Sequence, residues 1–138
     1  MEIHQSAVIL LLILSVSSFT HAQPDYIKPR YIKFLNQHYG PSMTVKKCDS
    51  VIHENKEFIH SETVNGCKEI NTFIQANSDH IRASNQPFPV ITCKLQSGER
   101  PPHCKYRGVR DSRDIVLRCD HGWPVHYDEG IYRPNNVG

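Results

Sequence analysis

The first half of the chain carries apolar residues at the spacing of an α-helix. Between residues 27 and 40, apolar positions and one histidine recur three or four residues apart, which places them on one helical face. These positions are Ile27, Tyr31, Phe34 and His38. Pro29 suits the first turn of a helix, and Gly40 with Pro41 ends it. The predicted helices are Pro29–His38, Thr44–His53 and Ser78–Ala83.

The second half contains short segments suited to β-strands, separated by turn-forming residues. The predicted strands are Asn71–Ile74, Val90–Leu95, Cys104–Val109, Asp114–Asp120 and Pro124–Asp128. Because helices come first and strands second, the order favours an α+β fold rather than a parallel sheet. We expect short N-terminal helices packed on a twisted antiparallel sheet.

Residues 1–22 have the features of a secretory signal peptide. Ala7–Val16 is almost wholly apolar, but it is too short to span a bilayer. Ala22 supplies the small residue that suits signal peptidase. We therefore expect cleavage after Ala22, one domain at residues 23–138, and a product that is secreted to the extracellular space.

Charge and cysteine content fit this localisation. Residues 1–22 contain one acid, Glu2, and no Lys or Arg, so cleavage changes the formal charge from +2 to +3. Such mild basicity permits a polyanionic partner such as RNA or heparin without requiring one. The five cysteines of a small secreted chain indicate disulfide bonds.

The segment Pro124–Asp128 contains candidate acid–base chemistry. In a strand, alternation places His126 and Asp128 on one face and Val125 and Tyr127 on the other. A carboxylate beside an imidazole can orient it and support its charged form, which prepares a histidine for proton transfer near neutral pH. The plainer alternative is a solvated pair on an exposed strand.

Two further segments complete a recognisable set. Lys33–His38 contributes a second histidine, and Cys67–Phe73 contains a lysine next to a cysteine, followed by Asn-Thr-Phe. Together with the His126 segment, in this order, they resemble the pancreatic-type ribonuclease superfamily. The stretches Thr92–Leu95 and Pro102–Arg107 look most like its angiogenin-like, six-cysteine branch. The resemblance extends from about Tyr31 to Pro134.

The resemblance implies an RNA cleavage that needs no metal and no other cofactor. The substrate's own 2′-hydroxyl attacks phosphorus, so the site needs a base, an acid and a cation for the transition-state charge. By resemblance, His38 is the base, His126 the acid and Lys68 the cation. Gln37 would bind the phosphate, and Asp128 would hold the tautomer of His126.

The resemblance also implies how a pyrimidine is read. Thr72 offers a backbone N–H and a hydroxyl that can donate or accept, and Tyr127 would form the apolar wall of the same pocket. Lys33 would contact a flanking phosphate, and Asp120 the next base. Asn71 is grouped with these substrate-binding residues, and it is expected to have a structural role whatever the activity.

Each assignment has a structural alternative. His38 could be a half-buried core histidine, Lys68 a surface lysine, and Thr72 and Tyr127 ordinary strand and core residues. An alternative hypothesis is that Cys119, His121 and His126 bind a metal, but their spacing matches no strong zinc pattern.

Three arginines form a basic cluster close to two aspartates. Arg107, Arg110 and Arg113 are most simply part of a solvated turn. In the angiogenin-like branch, exposed basic residues of this region are associated with heparin or cell-surface binding. The cluster is therefore our candidate polyanion site.

The cysteine pattern departs from the family. The resemblance implies disulfides Cys48–Cys93 and Cys67–Cys104, and leaves Cys119 without its partner, whose place falls near Asn85. The segment Ala83–Phe88 is also too short, so we expect an internal deletion of roughly a dozen or more residues that removed this cysteine and one strand. A lone thiol at a sheet edge further predicts a Cys119-linked dimer.

These observations lead to one functional prediction and two alternatives. We predict a secreted, metal-independent endoribonuclease that cleaves RNA 3′ of pyrimidines through a 2′,3′-cyclic phosphate. The alternative is a weakly or non-enzymatic secreted host-defence or angiogenin-like factor that binds polyanions or cell surfaces. The deletion raises the third possibility, a truncated product without a stable function.

Overall fold

A computed structural model describes residues 23–61, 63, 66–83, 86–129 and 133–134. The predicted signal peptide and Asn85 lie outside the described residues. The helices are α1 (Lys28–His38), a 3-10 turn (Val45–Lys47), α2 (Cys48–Glu54), α3 (Lys56–Ile59) and α4 (Ser78–Ala83). The strands are β1 (Ile70–Ile74), β2 (Phe88–Ser97), β3 (Lys105–Asp114), β4 (Leu117–Asp120), β5 (Trp123–Tyr127) and β6 (Arg133–Pro134).

The strands form two antiparallel sheets. A four-stranded sheet has the order β1-β2-β3-β6, and a two-stranded sheet pairs β4 with β5. Helix α1 contacts both sheets, through β1 and β5. The α+β prediction is therefore confirmed, and α1 packs against both sheets.

Strand alternation divides the core between the two faces of the larger sheet. Ile74 lies opposite Val90, and their neighbours Phe73 and Ile91 are paired on the other face. The first cluster contains Phe34, Ile74, Ile81, Phe88, Val90, Ile115 and Tyr127. The second contains Met43, Cys48, Ile52, Ile59, Phe73, Ile91 and Cys93. Burial of these side chains is the main term that holds the helices on the sheet.

The 3-10 turn comes unusually close to β3. A Cβ built on Gly108 would lie 2.4 Å from the carbonyl oxygen of Val45. Any larger residue at position 108 would therefore push the turn away. The predicted helix Thr44–His53 is in fact a 3-10 turn followed by an α-helix.

Two further predictions about secondary structure were wrong. The strand Asp114–Asp120 is not continuous, because Ile115 is buried and its N–H donates to Gln86 Oε1 at 3.0 Å instead of to a strand. The arginine cluster lies in β3 and not in a solvated turn. Since strand side chains alternate, Arg110 lies on the face opposite Arg107 and Arg113.

The disulfides Cys48–Cys93 and Cys67–Cys104 are both formed, as the resemblance implied. Cys119 is the free cysteine among the described residues, and it lies exposed on β4. Within the described part of the chain, no helix is long and apolar enough to cross a membrane.

Candidate active site

The last turn of α1 carries His38 into the interior of the protein. Only 3% of His38 is exposed, and its Nδ1 lies 2.8 Å from the carbonyl oxygen of Thr72. Because a carbonyl can only accept, Nδ1 carries the proton, and the Nε2 lone pair is left to take another proton. Burial, and then the charge of Lys68, lower the pKa of His38 to about 3. The imidazole is therefore neutral at physiological pH.

The backbone of Lys68 is held from both sides. Its N–H donates to His60 Nδ1 at 3.1 Å, and its carbonyl accepts the Tyr106 hydroxyl at 2.6 Å. Its Nζ donates to Asn71 Oδ1 at 2.9 Å, and Asn71 Nδ2 donates to the carbonyl of Gln37 at 2.8 Å. Asn71 thus links the lysine to the end of α1.

Strand β5 supplies the opposite wall. Tyr127 is buried, and its ring stacks on His38 with 4.9 Å between the ring centroids. His126 is exposed on the same strand. The result is a pocket of about 140 Å³ that brings together both histidines and the lysine, and it is lined by Gln37, His38, Lys68, His126, Tyr127 and Glu129.

Glu129 was not singled out by the sequence analysis, yet it occupies the donors that Thr72 was expected to offer to a base. The Thr72 N–H donates to Glu129 Oε1 at 2.6 Å, and the Thr72 hydroxyl lies 2.7 Å from Oε2. Burial raises the pKa of Glu129, while the bonds from Thr72 and the charges of Lys68 and Arg113 oppose this shift. Both Thr72 donors are therefore occupied by the Glu129 carboxylate in this structure.

The remaining predicted residues lie around the pocket or beyond it. Gln37 lines the pocket, and its Nε2 donates to the carbonyl of Phe58 at 2.7 Å. Asp128 follows β5, and its N–H donates to Val116 at 3.0 Å. Lys33 is on α1 but does not line the pocket. Asp120 also lies outside it, and its Oδ2 accepts from Arg30 at 2.8 Å.

The metal reading of Cys119, His121 and His126 gains no support. His121 Nδ1 lies 2.6 Å from Asp120 Oδ1 and 2.8 Å from the Tyr26 hydroxyl. Among the residues that the structure describes, no group of three or more His, Cys, Asp or Glu side chains is arranged to hold a metal ion.

Comparison with known proteins gives this geometry a family. A sequence model of the family described as "Pancreatic ribonuclease" matches residues 58–128, a range that includes Lys68 and His126. The zebrafish (Danio rerio) protein named ribonuclease-like 3 is 43% identical over 95% of this chain and 99% of its own length. This chain belongs to the pancreatic ribonuclease family. The expected membership is confirmed, and it supports a ribonuclease-type function.

Other relatives of this chain include an angiogenin, the branch that the sequence indicated, and solved ribonuclease structures. Mouse (Mus musculus) angiogenin-3 is 37% identical over 92% of this chain and 94% of its own length. The X-ray structure of zebrafish RNase5 has a TM-score of 0.74 and 50% identity, and the match covers 79% of this chain and all of that one. RNase ZF-1A has a TM-score of 0.73 and 49% identity, over 79% of this chain and 97% of that one.

The length of one alignment bears on the expected deletion. The match to zebrafish ribonuclease-like 3 extends over 148 positions, which exceeds the 138 residues of this chain. The zebrafish protein therefore contains residues that have no counterpart in this chain. This is consistent with an internal deletion.

Proposed function

We propose that this ribonuclease is a secreted endoribonuclease that cleaves RNA 3′ of pyrimidines without a metal or another cofactor. The observation that carries the proposal is the convergence of His38, Lys68 and His126 on one small pocket. They come from three segments that are far apart in the chain: the end of α1, the residues before β1, and β5. A base, an acid and a cation at one phosphate-sized site are what attack by a 2′-hydroxyl requires.

The role of His38 follows from its protonation, and His126 takes the complementary role from the opposite wall of the pocket. His38, neutral and protonated on Nδ1, takes the 2′-hydroxyl proton on Nε2 as the oxygen attacks phosphorus. His126 gives a proton to the departing 5′-oxygen, and the product is a 2′,3′-cyclic phosphate. The stacked ring of Tyr127 and the carbonyl of Thr72 restrict the orientation of His38, which lowers the entropic cost of reaching the reactive geometry.

Lys68 acts on the charge that builds up on the phosphoryl oxygens. Its ammonium group now donates to Asn71 Oδ1. When negative charge develops on the substrate, Nζ can donate to a phosphoryl oxygen instead, since that oxygen is then the stronger acceptor. The backbone bonds to His60 and Tyr106 keep the stem of the lysine in place while its tip moves.

Glu129 makes the structure a resting form of the proposed enzyme. A base that binds to Thr72 must first displace the carboxylate from both Thr72 donors. The apparent affinity for substrate is therefore reduced to the fraction of molecules in which Glu129 has left Thr72. This observation also favours the alternative of a weakly enzymatic, angiogenin-like factor that binds polyanions. Arg107 and Arg110 would remain available for such binding, although they lie on opposite faces of β3.

Replacing Glu129 with Ala should increase kcat/KM for a pyrimidine dinucleotide by roughly tenfold, since one or two charge-assisted hydrogen bonds no longer compete with the base. The gain should appear mainly in KM. The exposed Glu99→Ala is the matched control. A lower kcat/KM in Glu129→Ala, with an unchanged melting temperature, would instead make Glu129 part of the productive site.

Secretion is part of the proposal. The segment 1–22 has the pattern of a signal peptide, and the two disulfides suit an oxidising compartment. Cell fractionation and N-terminal sequencing of the expressed protein test it. A mature chain that begins at Gln23 in the medium is the expected result, whereas retention of residues 1–22 in the cell would contradict it.

We further expect Cys119 to form a mixed disulfide or a Cys119–Cys119 dimer on oxidation, because it is exposed on a strand with one described neighbour. The side chain is exposed as a whole, but partial burial of the thiol raises its pKa, so oxidation should accelerate as the pH rises and thiolate forms. Non-reducing electrophoresis should show a dimer band that Cys119→Ser lacks. Peptide mapping that pairs Cys119 with another cysteine of the same chain would refute the prediction.

A further inference from the structure

Arg113 extends from β3 into the site where Thr72 meets Glu129. Thr72 lies opposite Thr92, and Arg113 lies on the same face of the sheet. The Arg113 Nη2 donates to Thr92 Oγ1 at 2.6 Å and to Thr72 Oγ1 at 3.1 Å. The sequence had placed this arginine in a surface cluster, but the structure turns it towards the two threonines.

The arginine limits what the Thr72 hydroxyl can do. A guanidinium has five donors and no acceptor, and it stays protonated at any relevant pH. It can therefore only occupy a lone pair of Thr72 Oγ1, and it cannot receive the hydroxyl proton. The proton of Thr72 is left to point into the site, where it meets Glu129 Oε2 at 2.7 Å.

Glu129, which now occupies this site, shows which hydrogen-bonding groups Thr72 presents. Glu129 is a carboxylate that accepts from both the N–H and the hydroxyl of Thr72. The site thus presents two donors side by side. Cytosine offers two adjacent acceptors, O2 and N3, on the corresponding edge, whereas uracil offers the acceptor O2 and the donor N3–H.

Uracil would require Thr72 to accept, so its proton would have to turn elsewhere. Thr92 Oγ1 is a poor acceptor for that proton, because it is 3.4 Å away, beyond a good O–H···O distance, and it already accepts from Arg113 at 2.6 Å. The Tyr127 hydroxyl, which interacts with the Thr72 side chain, is the other group to which the proton can turn. The positive charge beside Thr72 Oγ1 also weakens that oxygen as an acceptor. This effect of the Arg113 charge acts against uracil, which needs Thr72 as an acceptor, and not against cytosine, which needs it as a donor.

We propose that Arg113 is a specificity-determining residue that holds the Thr72 hydroxyl as a donor and makes cytosine the preferred base over uracil. The inference rests on the proposed function, because it assumes that a pyrimidine replaces Glu129 at Thr72. Arg113 acts through Thr72 and need not touch the base.

The test is made on the full mature chain with Glu129→Ala, so that the carboxylate does not compete. Calorimetry measures binding of cytidine 3′-monophosphate and of uridine 3′-monophosphate. In this background cytidine should bind more tightly by about five- to tenfold, the range of one hydrogen bond gained or lost. Equal binding of the two nucleotides, or tighter binding of the uridine nucleotide, would overturn the proposal even before Arg113 is substituted.

Adding Arg113→Met keeps the length of the side chain and removes its donors, so the two affinities should approach each other. Arg113→Lys should restore part of the preference. The matched control is Arg110→Met, which removes an exposed charge from the other face of β3 and should leave the ratio unchanged. A ratio that is unchanged in a folded Arg113→Met variant, or that collapses equally in Arg110→Met, would refute the role of Arg113.

Cleavage assays separate this inference from the function on which it rests. If cytidylyl- and uridylyl-adenosine are both left intact while the binding preference follows Arg113, the specificity proposal stands and the enzymatic proposal fails. If both are cleaved and neither binding nor kcat/KM favours cytidine, the enzyme stands and the role of Arg113 fails.

Discussion

Replacing His126 with Ala should lower the rate of RNA cleavage by about 10²–10⁴-fold, the contribution of one general acid–base group. His126 is exposed at the mouth of the pocket, so the loss should occur without a large fall in melting temperature. His103→Ala removes an exposed histidine outside the pocket and should cleave like the wild type. Cleavage at the wild-type rate by His126→Ala would remove this residue from the mechanism.

His38→Ala should cause a loss of similar size, but with a cost to folding, because the imidazole is buried and stacked on Tyr127. His38→Asn therefore offers a milder variant, with an amide that can still donate to the carbonyl of Thr72. Rates should be measured on an RNA dinucleotide, with and without EDTA, and on the matching deoxyribonucleotide. EDTA should have no effect, and the deoxyribonucleotide should not be cut, because it has no 2′-hydroxyl.

The pH dependence of the wild type follows from the same histidine. Its pKa in the folded protein, about 3, lies below its ordinary value of 6.5, so the proposed base remains neutral well into the acid range. The acid limb of kcat/KM should therefore lie below pH 6.5. The same sign applies to stability: protonation favours the unfolded chain, so the contribution of His38 is present above pH 6.5 and is lost as the pH falls towards 3.

Lys68→Ala should lower kcat by about 10²–10³-fold, the usual cost of removing one group that stabilises transition-state charge. Binding of a nucleotide product should change little, since the interaction is strongest only when the charge develops. Lys68→Arg should restore part of the rate, because the guanidinium presents its charge with a different geometry.

The appropriate control removes a lysine of equal charge from another part of the surface. Lys105 is exposed and borders a separate cleft, so Lys105→Ala should cleave at the wild-type rate. If Lys68→Ala weakened product binding and left kcat unchanged, Lys68 would be a phosphate-binding residue and not a catalyst.

Much of the fold could be read from local pattern. Helix α1 was predicted within one residue, from its apolar stripe and its ending at Gly40. Strands β1 and β5 also follow their predicted segments, since each is short and its turn residues lie nearby. The continuous strand Asp114–Asp120 was wrong because burial of Ile115 and its bond to Gln86 depend on contacts that lie far away in the chain.

Three residues of the pocket were identified from the sequence because they lie in three motifs of the family. His38, Lys68 and His126 each sit in a segment whose neighbours match the family, so their resemblance required no knowledge of distances. Their catalytic roles, the signal peptide and the missing partner near Asn85 remain predictions. The two disulfides were found as the resemblance implied.

The α+β order, the family and the residue types that its chemistry needs could be inferred without coordinates, because they depend on local periodicity and short motifs. In contrast, the bonds of Glu129 to Thr72, 57 residues away, and the inward turn of Arg113, 41 residues from the same threonine, depend on tertiary packing. Neither residue stands in a motif, and a charged side chain on a strand is usually solvated. Their positions follow from the pairing of β1, β2 and β3 and from the exit of the chain after β5, which bring distant donors and acceptors together at one hydroxyl.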